Sequence, residues 1–178
     1  MMLLDALIVI LTLLVLGLVI MAVSSIFLSA PYVPTPWKVC SQMVEMANLT
    51  GKEVVYDLGA GDGRLLITAK KAHPGITAKG YELAPLVYFW SKFIAWWSEQ
   101  DIDLRMKNFM HQDLSDADCV FLYLMPGVMK SLEKKFAKEL KPGTIIVSHA
   151  FYFPDRKPIK KLQVKWLHGK KELRLYKW

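Results

Sequence analysis

From residue 6 to residue 28 the chain runs ALIVILTLLVLGLVIMAVSSIFL, apolar and uncharged on every side of any helix it could form. At about 1.5 Å per residue such a helix covers a ~30 Å hydrocarbon core with some tilt, so the run predicts a transmembrane helix. A cleaved signal peptide fits less well, because the start has no Lys or Arg and the apolar run is too long. Three prolines in SAPYVPTPWK end the pattern and predict a stiff, extended connector. This divides the chain into an anchor over 1–30, a connector over 31–37 and a domain over 38–178.

Beyond the connector the period changes. Val39, Met43, Met46 and Ala47 recur at helical spacing in WKVCSQMVEMANLTG, and Gly51 stops that helix. Strand and helix patterns then alternate: EVVYDL, DGRLLITAKKAH, ITAKGYEL, PLVYFWSKFIAWWSE, DLRMKNF and DCVFLYLM. PGVMKSLEKKFAKELKPG is amphipathic through Val128, Met129, Leu132, Phe136 and Leu140 and precedes the strand TIIVSHAF. KLQVKWLH and ELRLYKW around GKK read as a closing hairpin. Strands joined through helices need right-handed crossovers, so the expected fold is α/β: a doubly wound, mostly parallel seven-stranded sheet behind an N-terminal transmembrane helix.

Charge adds an orientation. All 23 Lys and Arg follow the apolar run, and Asp5 is the only charged side chain before it. That predicts a single-pass membrane protein with its N-terminus outside and its domain in the cytoplasm. The net charge of +7 is spread through lysine-rich stretches without an aromatic-basic recognition motif. Attraction to an anionic bilayer explains it, and a nucleic-acid partner is not expected. Cys40 and Cys119 are far apart in sequence and read as buried thiols.

The candidate chemistry lies in VVYDLGAGDGRLL, residues 54 to 66. Here a strand ends in Asp57 and a turn places Gly59, Ala60, Gly61, Asp62 and Gly63 before the next helix. In a doubly wound sheet ligands bind beyond the carboxyl ends of the strands, where glycines let the backbone come close. The spacing is not the G-x-G-x-x-G of a dinucleotide site, and a carboxylate at Asp57 would repel a pyrophosphate and attract a cation. S-adenosylmethionine carries an ammonium and a sulfonium and no phosphate. Glu82 ends the second strand, where an acidic side chain can accept both ribose hydroxyls, and Asp113 follows the third.

These motifs resemble the class I, seven-strand methyltransferases. The resemblance covers about residues 34 to 178 and implies that Asp57 serves the methionyl end of the cofactor, Glu82 the ribose and Asp113 the adenine amine. VPTP, DLGAGDGR, GYELAP and FYFP together look like the membrane-anchored protein-lysine methyltransferases related to those of ATP synthase c subunit and the adenine nucleotide carrier. This narrower resemblance implies a lysine side chain as acceptor and brings Thr35 and Pro36 near the pocket. The short, stiff connector behind the expected anchor would hold that pocket close to a bilayer, so the acceptor expected is a lysine of a membrane protein.

On the acceptor side, Tyr123 ends the fourth strand and Phe151, Tyr152 and Phe153 follow the fifth, so an aromatic channel tolerant of a methylammonium is one reading and ordinary core the other. His149, at the end of the fifth strand, is either a framework histidine or a proton acceptor facing the pocket. YLMPGV lacks the Asp or Asn followed by Pro-Pro-aromatic that adenine and glutamine methyltransferases use to hold a planar amine. No clustered His, Cys or carboxylate set suggests a metal, and His73 and His168 read as surface residues. The aromatic helix LVYFWSKFIAWW is apolar over half its circumference. It reads as core packing against a neighbouring helix, with contact to a bilayer or membrane substrate as the second reading. The function expected is S-adenosylmethionine-dependent methylation of a protein lysine. The alternatives are a small or lipidic acceptor, or a catalytically silent binding module.

Overall fold

The computed structural model describes the backbone of residues 2–27, 32–166 and 169–178, and the side chains of residues 4–19, 32–165 and 169–178. His168, part of the connector and the end of the long apolar run lie outside these. Two compact units divide at Tyr32 and Val33. The first contains helix α1 (Met2–Phe27). Among the described residues no helix is long and apolar enough to cross a membrane. The single-pass placement is corrected accordingly, and with it the outside N-terminus and the cytoplasmic domain.

The second unit is built on a seven-stranded sheet ordered β3-β2-β1-β4-β5-β7-β6. Its strands are β1 (Val54–Leu58), β2 (Thr77–Tyr81), β3 (Asp103–Arg105), β4 (Cys119–Leu122), β5 (Ile145–His149), β6 (Lys160–Trp166) and β7 (Gly169–Lys177). The first five are mutually parallel, and β7 runs antiparallel to both β5 and β6, so the sheet is mixed through its closing hairpin. β1 and β4, in the middle, bury almost every side chain, which is why they read as unbroken apolar runs. The reversal of strand order between β1 and β4 opens the crevice in which such folds bind ligands.

Helices α2 (Trp37–Ala47) and α3 (Arg64–Ala72) pack with Val55, Phe121 and Val147 in one core. Met129, Leu132 and Phe136 of α5 (Pro126–Glu139) fill the other face with Tyr56, Leu58, Val120 and Ile146. β3 stops at Arg105, short of the DLRMKNF pattern. Lys107 already donates its N–H back to the Arg105 carbonyl, and Asn108 caps a short 3-10 turn over Phe109–His111.

Helix α4 (Pro85–Trp97) corrects the expectation of core packing. It buries only Val87, Ser91 and Ala95, a narrow stripe of small residues four apart. Leu86, Phe89, Trp90, Phe93, Trp96 and Trp97 face outward, with Trp96 and Trp97 71% and 73% exposed.

Candidate functional site: the carboxyl edge of the sheet

Strand register assembles the site. Leu58 pairs with Tyr81 on one side and with Leu122 on the other, and Leu122 pairs with Ser148. One residue further along each strand, Glu82, Gly59, Tyr123 and His149 therefore form a row across the carboxyl ends of β2, β1, β4 and β5. Asp57, level with Gly80 and Phe121, lies two residues inside that row.

The loop after β1 is held by the end of β2. Gly59 and Ala60 both donate their N–H to the Tyr81 carbonyl at 2.9 Å, and Gly61 donates its N–H to Glu82 Oε2 at 2.9 Å. Gly59, Gly61 and Gly63 have φ of 79°, 57° and 78°, the left-handed region that side chains disfavour. At Gly59 space is short as well, since a Cβ would come within 2.9 Å of the Leu124 side chain. The other oxygen of Glu82 accepts from the N–H groups of Leu83 and Ala84, fixing the carboxylate where α4 begins.

Asp57 is buried at the end of β1, and its pKa is pushed up to about 8, first by burial and then by the Glu82 and Asp62 carboxylates. Every influence on it disfavours the charged form, so the position is poised for an arriving cation. Cys40, packed nearby, has its thiol pushed up to about 12, first by burial and then by Asp57, and stays protonated.

Asp62 and Thr35 have framework contacts. Arg64 grips the Asp62 carboxylate with Nε and Nη2 and donates from Nη1 to the Thr35 carbonyl at 3.0 Å. Trp37 lies against the guanidinium, 5.2 Å from ring centroid to Cζ. This cluster seats the start of α2 on the glycine loop. Sequence reasoning gave Arg64 and Trp37 no role in the site, although the Asp-x-Arg spacing after the glycines carries a signal for the first.

Asp113 does not join Asp57 and Glu82. It is exposed and accepts from the Ser115 N–H and hydroxyl, which hold its pKa low. Its charged neighbours are Asp116 and Lys135; Asp116 contacts the Tyr56 hydroxyl and Lys79, below the carboxyl edge. Asn108, three residues past β3, accepts the Met110 N–H with its side chain, and being uncharged it gives no carboxylate signal in the sequence.

The aromatic residues separate. Tyr123 stacks on His149 with ring centroids 4.3 Å apart and on Phe151 at 6.3 Å. Phe153 is fully buried, edge-on to Tyr176 at 5.1 Å and against Phe136, so it belongs to the core and leaves the channel. Tyr152 is 62% exposed with the Arg174 guanidinium over its ring. His149 is fully buried, and burial followed by Lys171 lowers its pKa to about 4. A ring held at that value is a poor proton acceptor for an ammonium. Burial also raises the Tyr123 hydroxyl, which stays protonated.

A groove of about 450 Å³ lined by Trp37, Ile67, Lys71, Ile94 and Trp97 lies on the α2, α3 and α4 side. Neither Asp57, Glu82 nor Tyr123 lines it, so it is separate from the carboxyl-edge row.

The sequence profile of the ANTKMT methyltransferase domain matches residues 57–160, more than half of the chain. The chain belongs to this methyltransferase family. A protein-lysine N-methyltransferase of Saccharolobus islandicus is 40% identical over 125 residues, 68% of this chain and 76% of that protein. The human lysine N-methyltransferase of the ATP synthase c subunit is 32% identical over 130 residues, 72% of this chain and 54% of that protein. Among solved structures, an RNA methyltransferase from Salinibacter ruber in complex with S-adenosyl-L-homocysteine aligns with a TM-score of 0.72 and 32% identity. That match covers 80% of this chain and 93% of the other. The chain is an S-adenosylmethionine-dependent methyltransferase of the seven-strand class. The donors at the carboxyl edge fit that cofactor: a buried carboxylate that seeks a cation, a second carboxylate beside it, and a glycine loop with room for close approach.

Proposed function

We propose that this family member methylates the side-chain nitrogen of a protein lysine. The observation that carries the reading is the row Glu82, Gly59, Tyr123 and His149, which joins the cofactor loop directly to an aromatic wall. The relatives named as lysine methyltransferases support it.

In this reading Asp57 receives the cationic methionyl end, the backbone of Gly59, Ala60, Gly61 and Gly63 lies against the cofactor, and Glu82 takes the ribose hydroxyls. Asn108 replaces Asp113 on the adenine side, while Asp62 and Thr35 act through Arg64 by holding the loop. When bound, S-adenosylmethionine supplies a methyl group on a sulfonium whose departure leaves a neutral thioether, so the acceptor needs a neutral nitrogen with its lone pair aligned. The chain's own task is alignment and exclusion of water, which can supply much of a rate enhancement. Tyr123 and Phe151 form the wall against which a lysine stem and its methylated head rest. With His149 held near pKa 4 and Tyr123 protonated, neither takes the acceptor's proton, and that proton passes to water.

The exposed aromatic face of α4 supports an acceptor presented by a partner with apolar surface, consistent with a membrane protein. RNA is the second reading, raised by the likeness to the Salinibacter ruber RNA methyltransferase and by the net charge of +7. The missing Asp or Asn before Pro-Pro in YLMPGV weighs against a planar amine. The test is S-adenosylhomocysteine release by the full chain on a pool of lysine peptides with random flanks, against total RNA. Release with peptides alone supports lysine, and release with RNA alone overturns it.

A further inference from the structure

Ala150, between β5 and the aromatic segment, is held in a backbone conformation that alanine avoids. Its φ is 69°, and Phe151 donates its N–H to the His149 carbonyl at 2.9 Å, closing a γ-turn of the strained, positive-φ hand. Such geometry persists only where its surroundings enforce it. Here β7 enforces it from both sides. Ala150 donates its N–H to the Glu172 carbonyl at 2.9 Å, and Arg174 Nη1 donates to the Ala150 carbonyl at 2.9 Å.

Arg174 stands opposite Ser148 in the β5 and β7 register, and its Nη2 pairs with Glu172 Oε1 at 2.6 Å. Its guanidinium also lies over Tyr152, 5.5 Å from the ring centroid. The Ser148 hydroxyl closes the segment by donating to the Phe151 carbonyl at 2.8 Å. One side chain on the antiparallel strand β7 therefore fixes the carbonyl before Phe151 and covers the ring after it. The result is the placement of Phe151 on Tyr123.

We infer that Arg174, oriented by Glu172, is a positioning residue that holds the Ala150 turn and so sets the Tyr123 and Phe151 wall for the acceptor. The inference rests on the reading of that wall as the acceptor side. Arg174 touches neither reacting group. A one-ångström error in the wall is enough to misalign an in-line transfer.

The test uses the full chain, S-adenosylmethionine and the random-flank lysine peptide pool, comparing Arg174→Met, Arg174→Lys and Phe151→Ala. Arg174→Met keeps the stem and removes the donors. It should lower kcat/KM for the peptides roughly 10- to 100-fold, the scale of a misplaced reacting group. S-adenosylhomocysteine affinity should not change, and the Phe151 amide should exchange faster with deuterium. Arg174→Lys, which can still donate to the Ala150 carbonyl, should recover most of the loss. If Phe151→Ala impairs peptide turnover and Arg174→Met does not, the positioning role is wrong and the wall stands. A parallel fall in cofactor affinity and melting temperature for Arg174→Met would make Arg174 a general framework residue, which also overturns the inference. If Phe151→Ala leaves turnover unchanged, or the unsubstituted chain does not turn over the peptides, the acceptor-side reading itself fails.

Discussion

The backbone N–H of Gly61 points at Glu82 Oε2, 2.9 Å away, and so ties the middle of the glycine loop to the end of the neighbouring strand. The same carboxylate accepts from the N–H groups of Leu83 and Ala84 with its other oxygen. One side chain thus joins β1, β2 and the start of α4 where the ribose of the cofactor is proposed to lie.

Glu82→Ala should weaken S-adenosylhomocysteine binding by about 1.5 to 3 kcal/mol, the range for hydrogen bonds to a charged group. Glu82→Gln should lose less, because its amide oxygen still accepts from Gly61. Calorimetry on both variants checks this, and unchanged affinity in both would remove Glu82 from the site.

Asp57 should make cofactor binding pH-dependent. Burial, Glu82 and Asp62 raise its pKa to about 8, so at neutral pH the free protein holds it protonated. A cationic ligand favours the ionised form, and binding should release a proton. Between pH 6 and 7.5 the affinity should rise with pH, approaching tenfold per unit. Calorimetry in buffers of different ionisation enthalpy reads the proton directly, and Asp57→Asn should abolish the release.

His149 should appear in the stability of the protein. Its folded pKa of about 4 lies below the ordinary value of 6.5, so the folded state binds fewer protons in that interval. Its contribution is whole above pH 6.5 and is lost as the pH falls towards 4. At pH 5 the loss is about 2 kcal/mol, at 1.36 kcal/mol per unit. His149→Phe keeps a ring beside Tyr123 and should flatten the urea-midpoint profile between pH 7 and 5.

Gly80 faces Asp57 in register, and a Cβ there would sit 2.8 Å from both Leu104 and Leu66 side chains. Gly80→Ala should destabilise by about 1 to 3 kcal/mol, as overpacking does. Gly127, where a Cβ meets nothing within 4 Å, is the control and should tolerate alanine. Thermal melting compares the two.

Period and punctuation carried much of the fold: β1 and β4 announced themselves as buried apolar runs, and the crossover pattern implied the parallel part of the sheet. Tertiary context decided the remainder. DLRMKNF alternates like a long strand, yet Asn108 caps a turn with its own side chain and stops β3 at Arg105. The α4 aromatics have the spacing of a buried face, but the small residues Val87, Ser91 and Ala95 make the contact instead. Asp57 and Glu82 were legible because strand ends fix their positions. Asp113 was not, because seven residues, a 3-10 turn among them, separate it from β3, and its carboxylate is taken up by Ser115. The three aromatics after β5 could be named but not sorted, since the turn at Ala150 decides which ring points where.

The most direct measurement incubates the full chain with S-adenosylmethionine carrying a deuterated methyl group and a mixture of soluble, membrane and RNA fractions, then locates the label by mass spectrometry. The prediction is label on lysine Nζ of protein, lost with Asp57→Ala and with Glu82→Ala reduced. Label confined to RNA or to small molecules, with none on lysine, would contradict it.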